Sequence, residues 1–244
     1  MNIFFELHRD IPREGPGDNA STRKAFSLLT DLPARPRMLD VGCGPGKQTI
    51  ELARISSGNI LAIDTHQPFL DVLSKTAERE GLAGNISCLN KSMLELDFEP
   101  GSFDAIWSEG AIYIIGFEKG LRAWRPFLKK GGYLAASELS WLKPQPPAEI
   151  KAFWGEGYPG MKAQEENLEI LRKAGYREVG HFTLPESSWW DDYYTPLEKK
   201  IPILSEKYRD DEEAMALLRG SQQESDLYRK YSDWYGYVFY IMQV

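Results

Sequence analysis

Short apolar runs alternate with amphipathic segments through the first 140 residues of the chain. Runs of buried-strand character occupy residues 38–41, 60–63, 86–89, 103–107 and 131–137. Helical spacing of apolar residues fills the intervals, as in the segment that follows Gly46 and in the one from Phe69 to Ala77. Because strands that alternate with helices form parallel sheets, the pattern predicts a doubly wound α/β core over residues 37–141.

Helical patterns also flank this core. Apolar residues from Ala25 to Leu32 recur at helical spacing, which predicts a helix with Ser21 as its N-cap inside an N-terminal segment of residues 1–36. After Trp141, prolines interrupt the rhythm before a helix at residues 164–174 and a strand at 178–184. A final strand at residues 235–242 follows only after a long interval.

The interval at residues 185–234 is too long for a plain connection, so we expect helices to fill it. The sequence therefore predicts one domain over residues 1–244: a Rossmann-like, doubly wound, seven-stranded, mostly parallel sheet with helices on both faces and a helical, lid-like insertion before the last strand.

Composition narrows the possible partners. A net charge of −7 argues against a nucleic-acid substrate, which basic surfaces usually attract. The two cysteines, Cys43 and Cys88, suggest neither a disulfide framework nor a zinc site, and no ligand-spaced group predicts a metal. No long apolar run predicts a membrane span, and the acidic start of the chain favours a cytoplasmic location.

The richest motif lies between the first strand and the next helix. There Gly42, Gly44 and Gly46 alternate after Asp40, and glycines at such a turn let a ligand approach the backbone closely. Asp64 ends the second strand beside the same crevice, where a carboxylate can accept both hydroxyls of a ribose. A tight turn between strand and helix is the simplest alternative. The nicotinamide fingerprint spaces its glycines differently, as GxGxxG, and the acidic Asp40 suits a cationic ligand better than a diphosphate.

Residues 39–46 resemble the first motif of the class I S-adenosylmethionine (SAM) dependent methyltransferases. Residues 98–106 are similar to the stretch that leads into the fourth strand of that family. The resemblance covers roughly residues 19–141 and is closest to the branch that includes ubiquinone and menaquinone biosynthesis methyltransferases. It implies SAM as the cofactor and a small molecule as the methyl acceptor.

The resemblance also implies a set of cofactor-binding residues. The glycine loop passes the amino acid part of SAM and Asp64 binds the ribose, while Ser92 and the backbone of Met93 lie at the adenine. Ser92 stands where many relatives carry an acid, so its hydroxyl takes the place of that acid at the adenine. The complete expected set is Asp40, Gly42, Gly44, Gly46, Gln48, Asp64, Thr65, Ser92, Met93 and Ser108.

Three residues are candidates for the chemistry itself. Glu109, after the fourth strand, either accepts a proton or orients the acceptor, or else binds the SAM ammonium group or caps a helix. Tyr113 either points its hydroxyl into the cleft or packs as an aromatic residue. His8 is a candidate because N-terminal segments often cross the cofactor in this family.

Aromatic residues cluster in the insertion, first at residues 189–194. They either form a small core, roof an acceptor pocket or make a homodimer contact. The sequence therefore predicts a SAM-dependent methyltransferase acting on a small molecule. A non-catalytic SAM- or nucleotide-binding regulatory module is the alternative.

Overall fold

The computed structural model describes residues 3–244 and contains one mixed sheet. Its spatial order is β3-β2-β1-β4-β5-β8-β7, with the two-residue β6 paired to β5 outside this path. Within these residues β8 runs in the opposite direction to the other strands, so that its pairings with β5 and β7 are antiparallel and the rest are parallel. The strands are β1 (Arg37–Val41), β2 (Asn59–Asp64), β3 (Ile86–Asn90), β4 (Phe103–Glu109), β5 (Leu128–Trp141), β6 (Lys162–Ala163), β7 (Arg177–Thr183) and β8 (Tyr235–Gln243).

The predicted Rossmann-like α/β fold is confirmed, and its seven strands correspond to the main path of the sheet. The short β6 is an addition that the sequence pattern did not predict. β4 is longer than predicted, because its ladder with β5 continues to the pair Glu109 and Ser137. Ser108 and Glu109 therefore belong to the strand and do not follow it.

Helices cover both faces of the sheet and fill the predicted insertion. They are α1 (Ile3–His8), α2 (Asn19–Ser27), α3 (Lys47–Ser56), α4 (Gln67–Arg79), α5 (Phe117–Trp124), α6 (Ala148–Gly157), α7 (Gln164–Lys173), α8 (Ser187–Trp189), α9 (Thr195–Lys207) and α10 (Glu212–Tyr231). A π-helical turn, Trp190–Tyr194, joins α8 to α9.

The prediction for the N-terminal helix was wrong at both ends. Asp18, not Ser21, is the N-cap of α2, because its carboxylate accepts the backbone NH of Ser21 at 2.7 Å. The helix ends at Ser27, so Leu29 is buried beyond it. Burial of that apolar residue does not require helix, which is why the spacing extended the prediction too far.

Apolar packing forms three clusters. One joins α2, α3 and α4 to a face of the sheet, and a second joins α5 and α7 to the other face. The third brings Leu7 of α1 together with the insertion, α6 and the ends of β5 and β8, including Trp154, Trp189, Tyr194 and Tyr235. The aromatic residues of the insertion thus build a core of their own above the carboxyl edge of the sheet.

The N-terminal segment is fastened to this third cluster by polar contacts. Lys200 of α9 donates to the carbonyl oxygens of Glu6 and Arg9 at 2.8 and 2.5 Å, and Lys207 pairs with the Glu6 carboxylate at 2.6 Å. The backbone NH of Gly17 donates to the carbonyl of Ser188 at 3.0 Å. None of the helices within residues 3–244 is long and apolar enough to cross a membrane.

Candidate functional site

A cavity of about 420 Å³ opens at the carboxyl edge of the sheet, where the glycine loop meets the ends of β2, β3 and β4. The N-terminal residues from Arg13 to Pro16 cover it from the opposite side. Ligands of open α/β sheets bind at this edge because strand order reverses there, as it does here between β1 and β4.

The glycine loop forms the floor of the cavity. Gly42 and Gly44 line it with φ angles of +71° and +54°. A Cβ atom at Gly42 would lie 2.5 Å from the Ala111 Cβ, and one at Gly44 would lie 3.3 Å from the Glu14 Cγ. Gly46 does not line the cavity. Its φ of +83° and a clash of 2.3 Å between a Cβ and Leu73 show that it is needed for packing α3 against α4.

Asp40 lies buried beneath the loop and not in the cavity wall. Its carboxylate accepts the Thr49 hydroxyl at 2.6 Å and the Gln48 amide at 3.3 Å, and the same amide donates to the Cys43 carbonyl at 2.9 Å. Burial raises the pKa of Asp40 to about 7. Asp40 is thus placed to position Gln48, which lines the cavity.

Asp64 shapes the opposite wall. One carboxylate oxygen accepts the backbone NH of Gly44 at 2.9 Å, and the other accepts that of His66 at 2.8 Å. Each oxygen keeps a further lone pair for a ligand. Thr65, Ser92 and Met93 line the cavity beside it, so the structure brings these predicted residues together with Gln48 and the first two glycines.

The two predicted residues at the end of β4 have different environments. Ser108 is buried and donates to the Val41 carbonyl at 3.0 Å, which ties β4 to β1 away from the cavity. Glu109 lines the cavity, but both of its oxygens are engaged. One oxygen accepts a hydrogen bond from the Arg13 guanidinium at 3.0 Å. The other accepts hydrogen bonds from the Thr22 hydroxyl at 2.7 Å and from the Trp107 indole NH at 2.9 Å.

Tyr113 lines the cavity and is half-exposed. Burial and the carboxylates of Glu224 and Glu138 raise its pKa. His8 instead borders an adjoining cavity of about 350 Å³, which shares Glu14 and His66 with the first, and its Nδ1 contacts the Phe4 carbonyl at 2.9 Å. The structure therefore does not bring His8 together with the other predicted site residues.

Two functional candidates, Arg13 and Glu14, were not predicted from the sequence. Arg13 links Glu109 to Asn19 through hydrogen bonds of 3.0 and 2.9 Å. Glu14 lies over Gly44, and both of its buried carboxylate oxygens lack a hydrogen-bond partner. Burial and the nearby charge of Asp64 raise the pKa of Glu14 to about 8. The signal in the sequence was an adjacent pair of charges before the turn that leads into α2.

Within the described lining of the cavity, the acids Glu14 and Asp64 have no ion-pair partner, whereas the cations are paired. Among its described lining residues the cations are Arg13 and Lys91, and each is paired with a carboxylate, Glu109 at 3.0 Å and Asp97 at 2.6 Å. Asp64 and Glu14 complete the charged lining. Within residues 3–244 no three side chains of His, Cys, Asp or Glu gather as a metal site. This electrostatic environment favours a cationic ligand over a diphosphate.

Comparisons with known proteins agree with the geometry. A family model described as a methyltransferase domain matches residues 38–132. A sterol 24-C-methyltransferase of Aspergillus fumigatus is 24% identical over 171 residues, covering 66% of this chain and 45% of that protein. An O-methyltransferase of Penicillium expansum is 26% identical over 144 residues, covering 58% and 52%. The chain thus spans about half the length of these curated relatives.

A solved structure extends the likeness to the whole fold. It is a SAM-dependent methyltransferase from Geobacter sulfurreducens in complex with S-adenosyl-L-homocysteine (SAH), at a TM-score of 0.83 and 20% identity over 99% of this chain and 97% of that one. The two chains share one architecture. The glycine loop lies inside the segment that matches the methyltransferase-domain family, so residues 38–132 are similar in sequence to that domain.

Proposed function

We propose that this chain binds SAM in the cavity above the glycine loop and transfers its methyl group to a small molecule. The observation that carries the proposal is Glu14, a carboxylate without a hydrogen-bond partner, held over the left-handed glycine loop and facing Asp64. A buried carboxylate is costly unless a cation or a donor meets it. SAM brings both a sulfonium and an ammonium group.

The lining residues fit the parts of that cofactor. Asp64 would hold the ribose hydroxyls, and Thr65, Ser92 and Met93 would border the adenine. Gly42 and Gly44 leave room for the amino acid part, whose ammonium group would meet Glu14. Bound SAM supplies an electrophilic methyl group on a positively charged sulfur. The protein contributes alignment and exclusion of water, for which few catalytic side chains are required.

Isothermal titration with SAM, SAH and NAD tests the proposal directly. We expect SAM and SAH to bind and NAD not to compete. Absence of SAM binding, or a preference for NAD, would contradict it.

Replacing Asp64 with alanine is expected to weaken SAH binding by about 10- to 150-fold, which corresponds to about 1.5–3 kcal/mol for hydrogen bonds to a charged group. The matched control is Asp71→Ala, because Asp71 is exposed on the neighbouring helix α4. Titration of both variants, with circular dichroism to verify folding, provides the measurement. An unchanged dissociation constant for Asp64→Ala would remove this residue from the site.

Glu14 predicts a pH dependence of cofactor binding. With a pKa of about 8 the free carboxyl is mostly protonated at pH 7, whereas a bound cation favours the ionised form. Binding should therefore release a proton, and SAH affinity should rise as the pH increases from 6 to 8. Titrations in buffers of different ionisation enthalpy measure the release. Glu14→Gln should abolish it, and equal release by this variant would assign the proton to another group.

The engagement of Glu109 favours a second candidate function. Because Arg13, Thr22 and Trp107 already occupy its oxygens, the end of β4 presents no free base. A non-catalytic SAM-binding module would need none. Incubation with methyl-labelled SAM and metabolite extracts separates the two functions: labelled product supports methyl transfer, and SAM binding without labelled product supports the module.

Several finer assignments remain proposals that rest on the sequence. They are the ubiquinone-like branch, the cytoplasmic location, the absence of a nucleic-acid substrate, the homodimer and the lid role of residues 185–234.

A further inference from the structure

A second group of buried acids and aromatic residues lies beyond the glycine loop. Glu138 of β5 is 2% exposed and accepts a hydrogen bond from the Tyr158 hydroxyl through one oxygen. Its other oxygen, Oε2, is buried and has no hydrogen-bond partner. A carboxylate in this state is unfavourable unless a ligand completes its interactions.

Glu224 of α10 approaches the same space from the insertion, where its carboxylate accepts the Tyr194 hydroxyl at 2.8 Å. Tyr113, in the cavity wall, lies within electrostatic range of both Glu138 and Glu224. Tyr237 also lies within electrostatic range of both acids. Its hydroxyl is 3.9 Å from the position that a Cβ atom on Gly110 would take. Tyr113 is the member of this group that lines the cavity, and neither Glu138 nor Glu224 is among the residues described in its lining.

We call Tyr113, Glu138, Tyr158, Glu224 and Tyr237 the acidic chamber. Its rings contact one another and the insertion core: the centroids of Tyr113 and Tyr158 are 5.9 Å apart, and those of Tyr237 and Trp189 are 5.4 Å apart. Aromatic faces and buried carboxylates both attract cations, and together they form the usual recognition site for ammonium groups.

We propose that the acidic chamber binds the positively charged nitrogen of the methyl acceptor, so that the substrate class of this enzyme is an amine. The inference rests on the proposed function. A protonated nitrogen has no lone pair, so one proton must leave it before methylation, and the unpartnered oxygen of Glu138 is placed to take that proton. The N–C bond then forms from the lone pair while the S–C bond breaks and its electrons remain on sulfur.

The ionisation of Glu138 is compatible with this role. Burial raises its pKa to about 8 and also raises the pKa of Glu224. The other titratable groups that face Glu138 are Tyr158, Tyr113 and, on β8, Tyr237 and Tyr240, and the pKa of each is raised above the usual tyrosine value. Near pH 8 the chamber therefore titrates through Glu138, and a bound cation favours the ionised form of this carboxyl, which is the form that can accept a proton.

Calorimetry on the SAH-saturated protein tests the inference without relying on turnover. The probes are ethanolamine, N,N-dimethylethanolamine and choline, which run from a primary amine to a quaternary ammonium ion, each paired with its uncharged carbon isostere. We expect amines to bind at least about tenfold more tightly than their isosteres, because the isostere lacks the charge. Glu138→Gln and Glu224→Gln should remove the preference, whereas Glu213→Gln, exposed on the same helix α10, should retain it.

The outcomes separate this inference from the proposed function. If SAH binds but no amine binds more tightly than its isostere, or if Glu138→Gln keeps the preference, the amine assignment is overturned while the cofactor site stands. If SAH does not bind to the wild-type protein, the proposed function itself fails. Proton release on binding of N,N-dimethylethanolamine that disappears in Glu138→Gln would support ionisation of Glu138 against the bound cation, which this carboxyl requires before it can accept a proton.

Discussion

Replacing Gly42 with alanine is expected to weaken SAH binding by at least about 100-fold, or about 2.7 kcal/mol. Two effects combine at this position. The φ of +71° is left-handed, and the added Cβ would lie 2.5 Å from the Ala111 Cβ and 3.2 Å from the Met93 Cε. Because Ala111 and Met93 line the cavity, relief of the clash must move the cavity wall.

Two other glycines separate these effects. Gly81 has a φ of +72°, and a Cβ atom there would have nothing within 4 Å, so Gly81→Ala isolates the backbone strain, about 1–2 kcal/mol of stability. Gly15 lines the cavity and also has nothing within 4 Å of its Cβ position, so Gly15→Ala tests a methyl group there without a clash. Both variants should bind SAH with near wild-type affinity. Equal affinity of Gly42→Ala and Gly15→Ala in calorimetry would show that the floor of the cavity tolerates a side chain.

The parts of the site that depend on local sequence could be predicted. Alternating glycines between a strand and a helix, with Asp64 at the end of the next strand, require contacts within a single βαβ unit. That unit fixes their relative positions. For the same reason the main sheet was predictable from short apolar runs, whereas the two-residue β6 carries too little pattern to be recognised.

The roles of polar residues inside that unit were harder to predict. Asp40 and Ser108 occur at the expected positions, yet the sequence does not reveal that their side chains bond Thr49 and the Val41 carbonyl instead of lining the cavity. The direction of a side chain depends on its neighbours in three dimensions. Proximity in sequence to the glycine loop is therefore weaker evidence for ligand contact than the glycine pattern itself.

The residues that the sequence did not reveal meet only through tertiary contacts. Arg13 meets the predicted Glu109 across 96 positions, and Glu138 and Glu224 act on Tyr113 from different elements. No hydrophobic periodicity in the sequence indicates that these residues are close in space. An isolated Glu in a sequence is typical of a solvated surface charge, and only burial without a partner distinguishes Glu14 and Glu138 from the many exposed acids of the chain.

Breaking the Arg13–Glu109 pair is expected to lower the free energy of unfolding by about 3–5 kcal/mol in either Arg13→Met or Glu109→Gln. Both side chains are 5% exposed and 3.0 Å apart, so each single variant leaves a buried charge without its main partner. The double variant should lose less than the sum of the two, because neither charge remains. Urea denaturation of the four proteins completes the double-mutant cycle.

The exposed pair Glu118 and Arg122 is the matched control. Its side chains are both 53% exposed, the charged groups are 2.9 Å apart, and the pair should couple by only about 0.3–0.5 kcal/mol.

The variants of the Arg13–Glu109 pair also decide between the interpretations of Glu109. If Glu109 is a structural anchor, the Glu109→Gln variant should lose stability and cofactor affinity together. If Glu109 is a general base, Glu109→Gln should keep its stability and its cofactor affinity and lose only the rate of methyl transfer. Three occupied hydrogen-bond positions on its carboxylate favour the anchor.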